Sequence, residues 1–150
     1  MMKLTLLALI LIQTTLAIKY TSWPVQPIYN VKRDIPKDQT TLVFVYSCMC
    51  PRSQRTIPEF TKAAKELKNY YGIKTKSLEY YMTGFEFVKV LPFINRFPIL
   101  MLYRADGSKI RYDGIDPPSA SSDDFVRFTL DNEYAYNGDN ENSVSSNTVW

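Results

Sequence analysis

Two cysteines, Cys48 and Cys50, are the residues of this sequence best suited to chemistry. Only one residue separates them, and a disulfide that closes so short a loop would constrain almost nothing in the unfolded chain. A role in stapling the fold is therefore excluded. We expect the two thiols to act chemically or locally instead.

The surroundings predicted for Cys50 favour a reactive thiol. A continuous β-branched and aromatic run at residues 41–46 predicts a buried central strand, and a helical pattern begins at Pro51. Cys50 would then lie at a helix start, where unpaired N–H groups and the helix dipole favour an anion. Arg52 and Arg55 add positive potential, which lowers a thiol pKa. The alternative is a buried structural cysteine at a strand end.

The helix after Cys50 is predicted from apolar residues that recur at three- and four-residue spacing. Pro51 suits the first helical position and Gly72 suits the position just beyond the end. The apolar positions are Ile57, Phe60, Ala64, Leu67 and Tyr71.

Several weaker elements complete the pattern. The turn Asp106-Gly107 is a strong hairpin signal between two apolar runs. The predicted elements are a possible edge strand at 27–31, a strand at 74–81, a short helix at 85–94, and hairpin strands at 98–103 and 108–112.

A last helix and a polar tail are predicted at the end of the sequence. Ser121 or Ser122 can cap the helix, with Asp123 and Asp124 in its first turn. Beyond it the composition changes to Asn, Ser, Asp and Glu with few aliphatic residues. We therefore expect residues 132–150 to be disordered.

The first residues have the pattern of a secretory signal peptide. One early lysine precedes an apolar run, and small residues stand at the positions that signal peptidase reads. The alternative, a signal anchor, is disfavoured because the run is shorter than the ~20 residues of a bilayer span. We predict a signal peptide at 1–17, an N-terminal extension at 18–40 and one domain at 41–131. The protein would then lie in the endoplasmic reticulum lumen or be secreted, with no membrane span after signal removal.

Composition excludes several classes of function. The chain has no histidine, which removes Ser-His and Cys-His pairs and the commonest metal ligand. Its 18 basic and 15 acidic residues are spread along the chain and give a net charge of +3, so no basic run marks a nucleic-acid partner. We expect no cofactor and no metal site.

Two segments resemble a known family. Residues 43–53, with Pro58 five residues further on, are similar to the active-site region of thioredoxins and protein disulfide isomerases. In that family a strand leads into W-C-x-x-C and then a helix containing a proline. Residues 95–107 resemble the second signature, in which a cis-proline faces the active site. The resemblance covers roughly residues 42–130 and implies a thioredoxin-like α/β fold, with a central mixed sheet flanked by helices.

The resemblance also implies roles for individual residues. Cys50 matches the attacking cysteine and Pro98 matches the cis-proline. Phe97 would offer its backbone to an extended client, by strand addition. We place Arg52 and Arg96 with these client-binding residues, because Arg96 beside the proline could reach the thiolate or the client. The alternative for Arg96 is a solvated loop charge.

Three positions depart from the family. Ser53 stands where the resolving cysteine belongs, Met49 where tryptophan is usual, and Phe44 where a buried acid helps proton transfer. A C-x-x-S site can form a mixed disulfide with a client, but it cannot release the client by closing its own C-x-x-C ring. Ser53 could still hydrogen-bond the Cys50 thiolate.

Cys48 offers a second route for release. It could form a bridge to Cys50, but residues two apart on a strand are near the upper limit of spacing for an unstrained disulfide. The alternative is a spare or buried thiol. The same pair, with Met49 between, could instead bind Cu(I), which prefers soft sulfur ligands.

Together these patterns predict a protein-disulfide-isomerase-like thiol exchanger. Its partners would be protein clients with cysteines or disulfides, attacked through Cys50 and supported by Ser53 and Cys48. The alternative is a redox-inactive thioredoxin fold that serves as a binding or assembly subunit.

Overall fold

A computed structural model of the chain describes residues 25–83 and 96–144. The predicted signal peptide at 1–17 and the predicted helix at 85–94 lie outside these residues. In chain order the elements are β1 (Gln26–Pro27), α1 (Val31–Asp34), β2 (Thr41–Tyr46), α2 (Pro51–Tyr71), β3 (Lys74–Glu79), α3 (Tyr80–Thr83), β4 (Ile99–Tyr103), β5 (Lys109–Arg111), a 3-10 helix (Pro117–Ser119) and α4 (Ser122–Val144).

One sheet joins all five described strands in the order β1-β3-β2-β4-β5. β3 runs parallel to both β1 and β2, whereas β4 is antiparallel to β2 and to β5. The predicted mixed α/β sheet is therefore confirmed. Parallel strands end at the same edge of a sheet, so the residues after β2 and β3 lie side by side.

β2 is buried on both faces, as its apolar run predicts. Its alternate side chains serve two cores, because successive residues of a strand point to opposite faces. Leu42 and Phe44 belong to the core beneath α2 and α4, and Val43 and Val45 belong to the core on the other face.

Aromatic packing fixes α2 on the sheet. The Phe60 ring stacks on Phe44 with 4.6 Å between centroids and meets Phe125 of α4 edge-on at 6.4 Å. α2 ends at Gly72, whose φ of 67° is in the left-handed region that glycine adopts without strain. The first turn of α2 is thereby held at the end of β2, where the cysteines lie.

Three elements differ from the sequence-based expectation. The possible edge strand at 27–31 is only the two-residue strand Gln26–Pro27, and a short helix begins at Val31. β3 ends at Glu79, and Tyr80–Thr83 forms a short helix where the sequence predicts that the strand continues to residue 81.

α4 runs through Val144, and this corrects the expectation of disorder for residues 132–144. Contacts distant in sequence hold this part of the helix. The Arg104 guanidinium donates to the Asn132 carbonyl oxygen at 2.6 Å, and the Thr40 hydroxyl donates to the Glu133 carboxylate. Composition alone does not show these partners.

Candidate active site

Cys50 closes a tight turn and begins α2. Its N–H donates to the Ser47 carbonyl oxygen at 3.0 Å, and its own carbonyl accepts the first helical hydrogen bond, from Gln54 N–H at 3.1 Å. Cys50 is the N-cap, with an extended backbone, and Pro51 follows it as the first helical residue. The sulfur therefore stands at the positive end of a 21-residue helix, as the sequence predicts.

The turn corrects one expectation about Cys48. β2 ends at Tyr46, so that Cys48 and Cys50 lie in a turn beginning at Ser47 and not along a strand. The strand spacing assumed for a bridge between them does not apply. Both thiols are free in this structure.

The Cys50 sulfur is half-buried and faces the segment before β4. The Cys50 thiol donates to the Phe97 carbonyl oxygen at 3.8 Å, and Arg52 Nε donates to the same oxygen at 3.3 Å. The peptide bond between Phe97 and Pro98 is cis, as expected from the resemblance. Cys50, Arg52, Phe97 and Pro98 are thus brought together at one end of the sheet.

The Phe97 ring forms one wall beside this site. It lies against Tyr80, with ring centroids 5.1 Å apart, and packs on the core that contains Ile99. On the other side Met49, at the tip of the turn, is 75% exposed. Apolar surface therefore lies next to Cys50 in the chain, where the family usually has tryptophan.

The surroundings lower the pKa of the Cys50 thiol below its ordinary value. Partial burial acts in the opposite direction, because it disfavours the charged form. It is outweighed by hydrogen bonds from the backbone N–H groups of Ser53 and Arg52, by the Ser53 hydroxyl, and by the positive charge of Arg52. The helix start thus favours the thiolate, the form that attacks disulfides.

Ser53 is fully buried and links the turn to the helix. Its hydroxyl oxygen accepts the Ser47 N–H at 3.3 Å, and its hydroxyl also stabilises the Cys50 thiolate. The position of the family's second cysteine is therefore filled by a group that can hydrogen-bond but cannot form a disulfide.

The charge of Arg52 is shared with Asp116, which the sequence did not identify. Arg52 Nη2 lies 2.5 Å from Asp116 Oδ1, and both side chains are partly exposed. Asp116 precedes the 3-10 helix, 64 residues further along the chain. No local pattern in the sequence predicts this pairing, because it depends on how that short helix packs against α2.

Cys48 faces different surroundings from Cys50. Its N–H donates to Glu79 Oε1 at 3.2 Å, and its carbonyl accepts from Gln54 Nε2 at 2.8 Å. Desolvation, the negative charge of Glu79 and a hydrogen bond to that carboxylate raise the pKa of the Cys48 thiol. The Cys48 residue as a whole is nevertheless exposed.

Glu79 is the second residue that the sequence did not identify. It is only 9% exposed and lies opposite Tyr46 in the parallel register of β2 and β3. A signal for it existed, because an acidic residue at the end of a strand parallel to β2 must come close to the turn that follows β2.

Two predicted basic residues do not join the site. Arg96 and Arg55 are exposed. Within the described residues, no hydrogen bond or ion pair connects either side chain to Cys50. Arg52 supplies the positive charge that acts on Cys50 and donates to the Phe97 carbonyl oxygen.

Similar structures are found by fold comparison. The chain superimposes on the J-Trx1 fragment of ERdj5 with a TM-score of 0.60 and 15% identity, over 73% of this chain and 51% of that one. It matches the first thioredoxin domain of mouse protein disulfide-isomerase A4 with a TM-score of 0.56 and 17% identity, over 72% of this chain and 74% of that one. The chain has a thioredoxin-like fold.

A third similar structure is human ERp44 in its zinc-bound form. The TM-score is 0.56 with 21% identity, over 69% of this chain and 29% of that one. The thioredoxin-like chain thus spans about half of the ERdj5 fragment and under a third of ERp44. No protein-family model matches it, and no curated protein matches it in sequence.

The described residues contain neither a cluster of metal ligands nor a membrane-spanning helix. In residues 25–83 and 96–144 no group of three or more cysteine, aspartate or glutamate side chains could hold a metal ion. Among the described helices, none has the length and apolar character needed to cross a bilayer.

Proposed function

We propose that this thioredoxin-like protein exchanges thiols and disulfides with protein clients through Cys50. The observation that carries the proposal is the placement of the Cys50 sulfur. It lies at the start of α2, with a lowered pKa, and contacts the carbonyl of Phe97 beside the cis bond to Pro98. The Cys50 thiol and the backbone just before β4 are therefore in contact.

The proposed reaction begins with the Cys50 thiolate. It attacks one sulfur of a client disulfide, a Cys50–client bond forms, and the other client sulfur leaves as a thiolate and takes up a proton. A second client thiol then attacks the bonded client sulfur, which restores Cys50 and leaves a rearranged client disulfide. No net oxidant or reductant is consumed in this isomerisation.

Client binding would use the backbone beside Pro98. The Phe97 carbonyl oxygen has two lone pairs. They accept one hydrogen bond from the Cys50 thiol and one from Arg52 Nε. Ionisation of Cys50 removes the thiol proton and frees one acceptor position for a client N–H. The exposed Met49 adds apolar contact next to the sulfur.

The predicted signal peptide supports placing this exchange in the secretory pathway. An oxidising compartment supplies clients whose cysteines are forming and rearranging disulfides. Similarity to a domain of a protein disulfide-isomerase is consistent with that setting.

Mixed-disulfide formation tests the proposal. The chain is incubated with a peptide that contains one disulfide, quenched with acid, and analysed without reductant by mass spectrometry. We expect a peptide adduct on the wild-type chain and on the matched variant Cys48→Ser, and none on Cys50→Ser. An equal adduct yield from Cys50→Ser would overturn the proposal.

A second candidate, a redox-inactive binding subunit, is favoured by one observation. The buried Ser53 hydroxyl replaces the second thiol of the family, so the ordinary two-cysteine cycle is absent. For this function, Cys50→Ser would bind an unfolded client as tightly as the wild-type chain, and neither would form a covalent adduct. Binding measured by titration, beside the adduct assay, separates the two candidates.

A further inference from the structure

Glu79 is a carboxylate placed where water cannot fully solvate it. It is the last residue of β3, only 9% of it is exposed, and the register of β2 and β3 puts it beside the turn that contains both cysteines. A buried carboxylate needs polar partners, because losing its hydration is costly. The N–H of Cys48 is one of these partners.

The carboxylate is placed beside Cys48 by a main-chain contact. Glu79 Oε1 accepts the Cys48 N–H at 3.2 Å, which puts the negative charge next to that residue. A protonated Cys48 thiol is neutral, whereas a thiolate would face a like charge. Glu79 therefore favours protonated Cys48, and the raised pKa of that thiol agrees with this.

Protonation decides whether Cys48 can act on a neighbouring disulfide. Only the thiolate is an effective nucleophile. The Cys50 N–H bonds back to the Ser47 carbonyl, so the turn folds the chain more tightly than a strand would and keeps the two cysteines close. Cys48 therefore shares a tight turn with the cysteine that would hold a client, but its thiol is kept in the unreactive form.

We propose that Glu79 prolongs the covalent attachment of clients to Cys50 by keeping Cys48, the resolving thiol, protonated. This inference rests on the proposed function. It assigns to the site a retention activity, in which a protein client with an exposed cysteine stays bound until Cys48 is released from the carboxylate.

In the resolving step Cys48 loses its proton to solvent and its sulfur attacks the Cys50 sulfur. The Cys48–Cys50 bond forms, the Cys50–client bond breaks, and the client sulfur leaves as a thiolate and takes up a proton. The Cys48 sulfur is oxidised by one electron and the client sulfur is reduced by one, while Cys50 keeps the oxidation state it had in the mixed disulfide. Two molecules of a small thiol such as glutathione then return the pair to two thiols and are themselves joined in a disulfide.

Release of a defined peptide tests the proposal. A cysteine peptide is coupled to Cys50 through a disulfide, the yield of adduct is recorded, and peptide release at neutral pH is followed by mass spectrometry without added thiol. Glu79→Gln keeps the shape and an acceptor oxygen but removes the charge. We expect it to release peptide about tenfold faster than the wild-type chain.

Two variants separate this effect from a general loosening of the site. Cys48→Ser should release peptide more slowly than the wild-type chain, and the double variant Cys48→Ser/Glu79→Gln should match Cys48→Ser alone. Faster release that persists in the double variant, or equal release from Glu79→Gln and the wild-type chain, would overturn the proposal. Failure of the wild-type adduct to form at all would instead count against the proposed function.

A second readout follows Cys48 directly. In chains that carry Cys50→Ser, alkylation of Cys48 is measured across a range of pH with and without Glu79→Gln. Removing the charge should move the midpoint to lower pH. A structural role alone would change the melting temperature but leave this midpoint in place, and that result would contradict the proposal.

Discussion

Cys48 and Cys50 are separated by one residue, yet they face opposite electrostatic surroundings. Cys50 stands at the start of α2, where N–H groups and Arg52 stabilise a thiolate. Cys48 lies in the turn after β2, beside the end of β3, where the Glu79 carboxylate disfavours one. The predicted reactivity of each thiol is therefore set by the end of the helix or strand beside it and not by its neighbours in sequence.

The two thiols should differ most in their rate of alkylation. With Cys48→Ser the chain keeps only Cys50, and with Cys50→Ser it keeps only Cys48. Because the pKa of Cys50 is lowered and that of Cys48 is raised, more Cys50 is thiolate at neutral pH. We expect iodoacetamide to modify Cys50 about tenfold faster or more.

The pH dependence of alkylation in the same two variants shows which thiol has the lower pKa. As the pH rises, Cys50 should reach its full rate first and Cys48 later. If the two alkylation curves have the same midpoint pH, or if the Cys48 midpoint lies below that of Cys50, the proposed difference between the two thiols is wrong.

Ser53→Ala should make the Cys50 thiol less reactive and so reduce its difference from Cys48. Losing the hydroxyl removes a hydrogen bond to the thiolate, so the pKa of Cys50 should rise and its alkylation at neutral pH should slow by about threefold to tenfold. The same change leaves the buried Ser47 N–H without its acceptor, which we expect to lower the free energy of unfolding by about 1 to 3 kcal/mol.

Thr56→Ala is the matched control for Ser53→Ala. The Thr56 hydroxyl is also buried in α2, but it donates to the Arg52 carbonyl, one turn back along the helix. It should lower stability without slowing Cys50. If both variants slow alkylation equally, the effect of Ser53 is one of packing and not of hydrogen bonding to sulfur.

Asp116→Asn should make the Cys50 thiol slightly more reactive and so increase its difference from Cys48. Asp116 pairs with Arg52, and removing its charge leaves more of the positive potential of Arg52 acting on Cys50. Because the pair is partly exposed, we expect only about a twofold increase in alkylation rate at low salt. The gain should fade at high salt, where surface charges are screened.

Glu59→Gln supplies a comparison for Asp116→Asn. It also removes one negative charge from the neighbourhood of α2, where Glu59 pairs with Lys62 and not with Arg52. An increase of the same size in Glu59→Gln would mean that net charge, and not the Arg52 pair, controls Cys50.

Much of the framework could be predicted from the sequence, because local patterns determine it. The run at 41–46 gives a strand buried on both faces, and Pro51 and Gly72 bound the helix that follows. Asp106-Gly107 turns the chain between β4 and β5, with Gly107 at a φ of 84°. Each of these features depends on residues close together in the chain.

The remaining features depend on packing between distant segments. The turn at Cys48 contains no glycine, proline or asparagine, and its one local signal is Ser47, whose hydroxyl accepts the Met49 N–H at 3.3 Å. Glu79 reaches Cys48 across 31 residues, and Asp116 reaches Arg52 across 64. The sequence predicted that Cys50 stands at the start of α2, but not the two carboxylates, Glu79 and Asp116, that contact Cys48 and Arg52.

The anchoring of α4 has a practical consequence for defining the smallest stable fragment. A chain cut after residue 131, where composition alone would set the domain boundary, would lose both Asn132 and Glu133. Arg104 and Thr40, which hold α4 at the strand ends opposite the cysteines, would then lose these partners. Fragments for crystallisation or for peptide-binding work are therefore better ended beyond Val144 than at the change in composition.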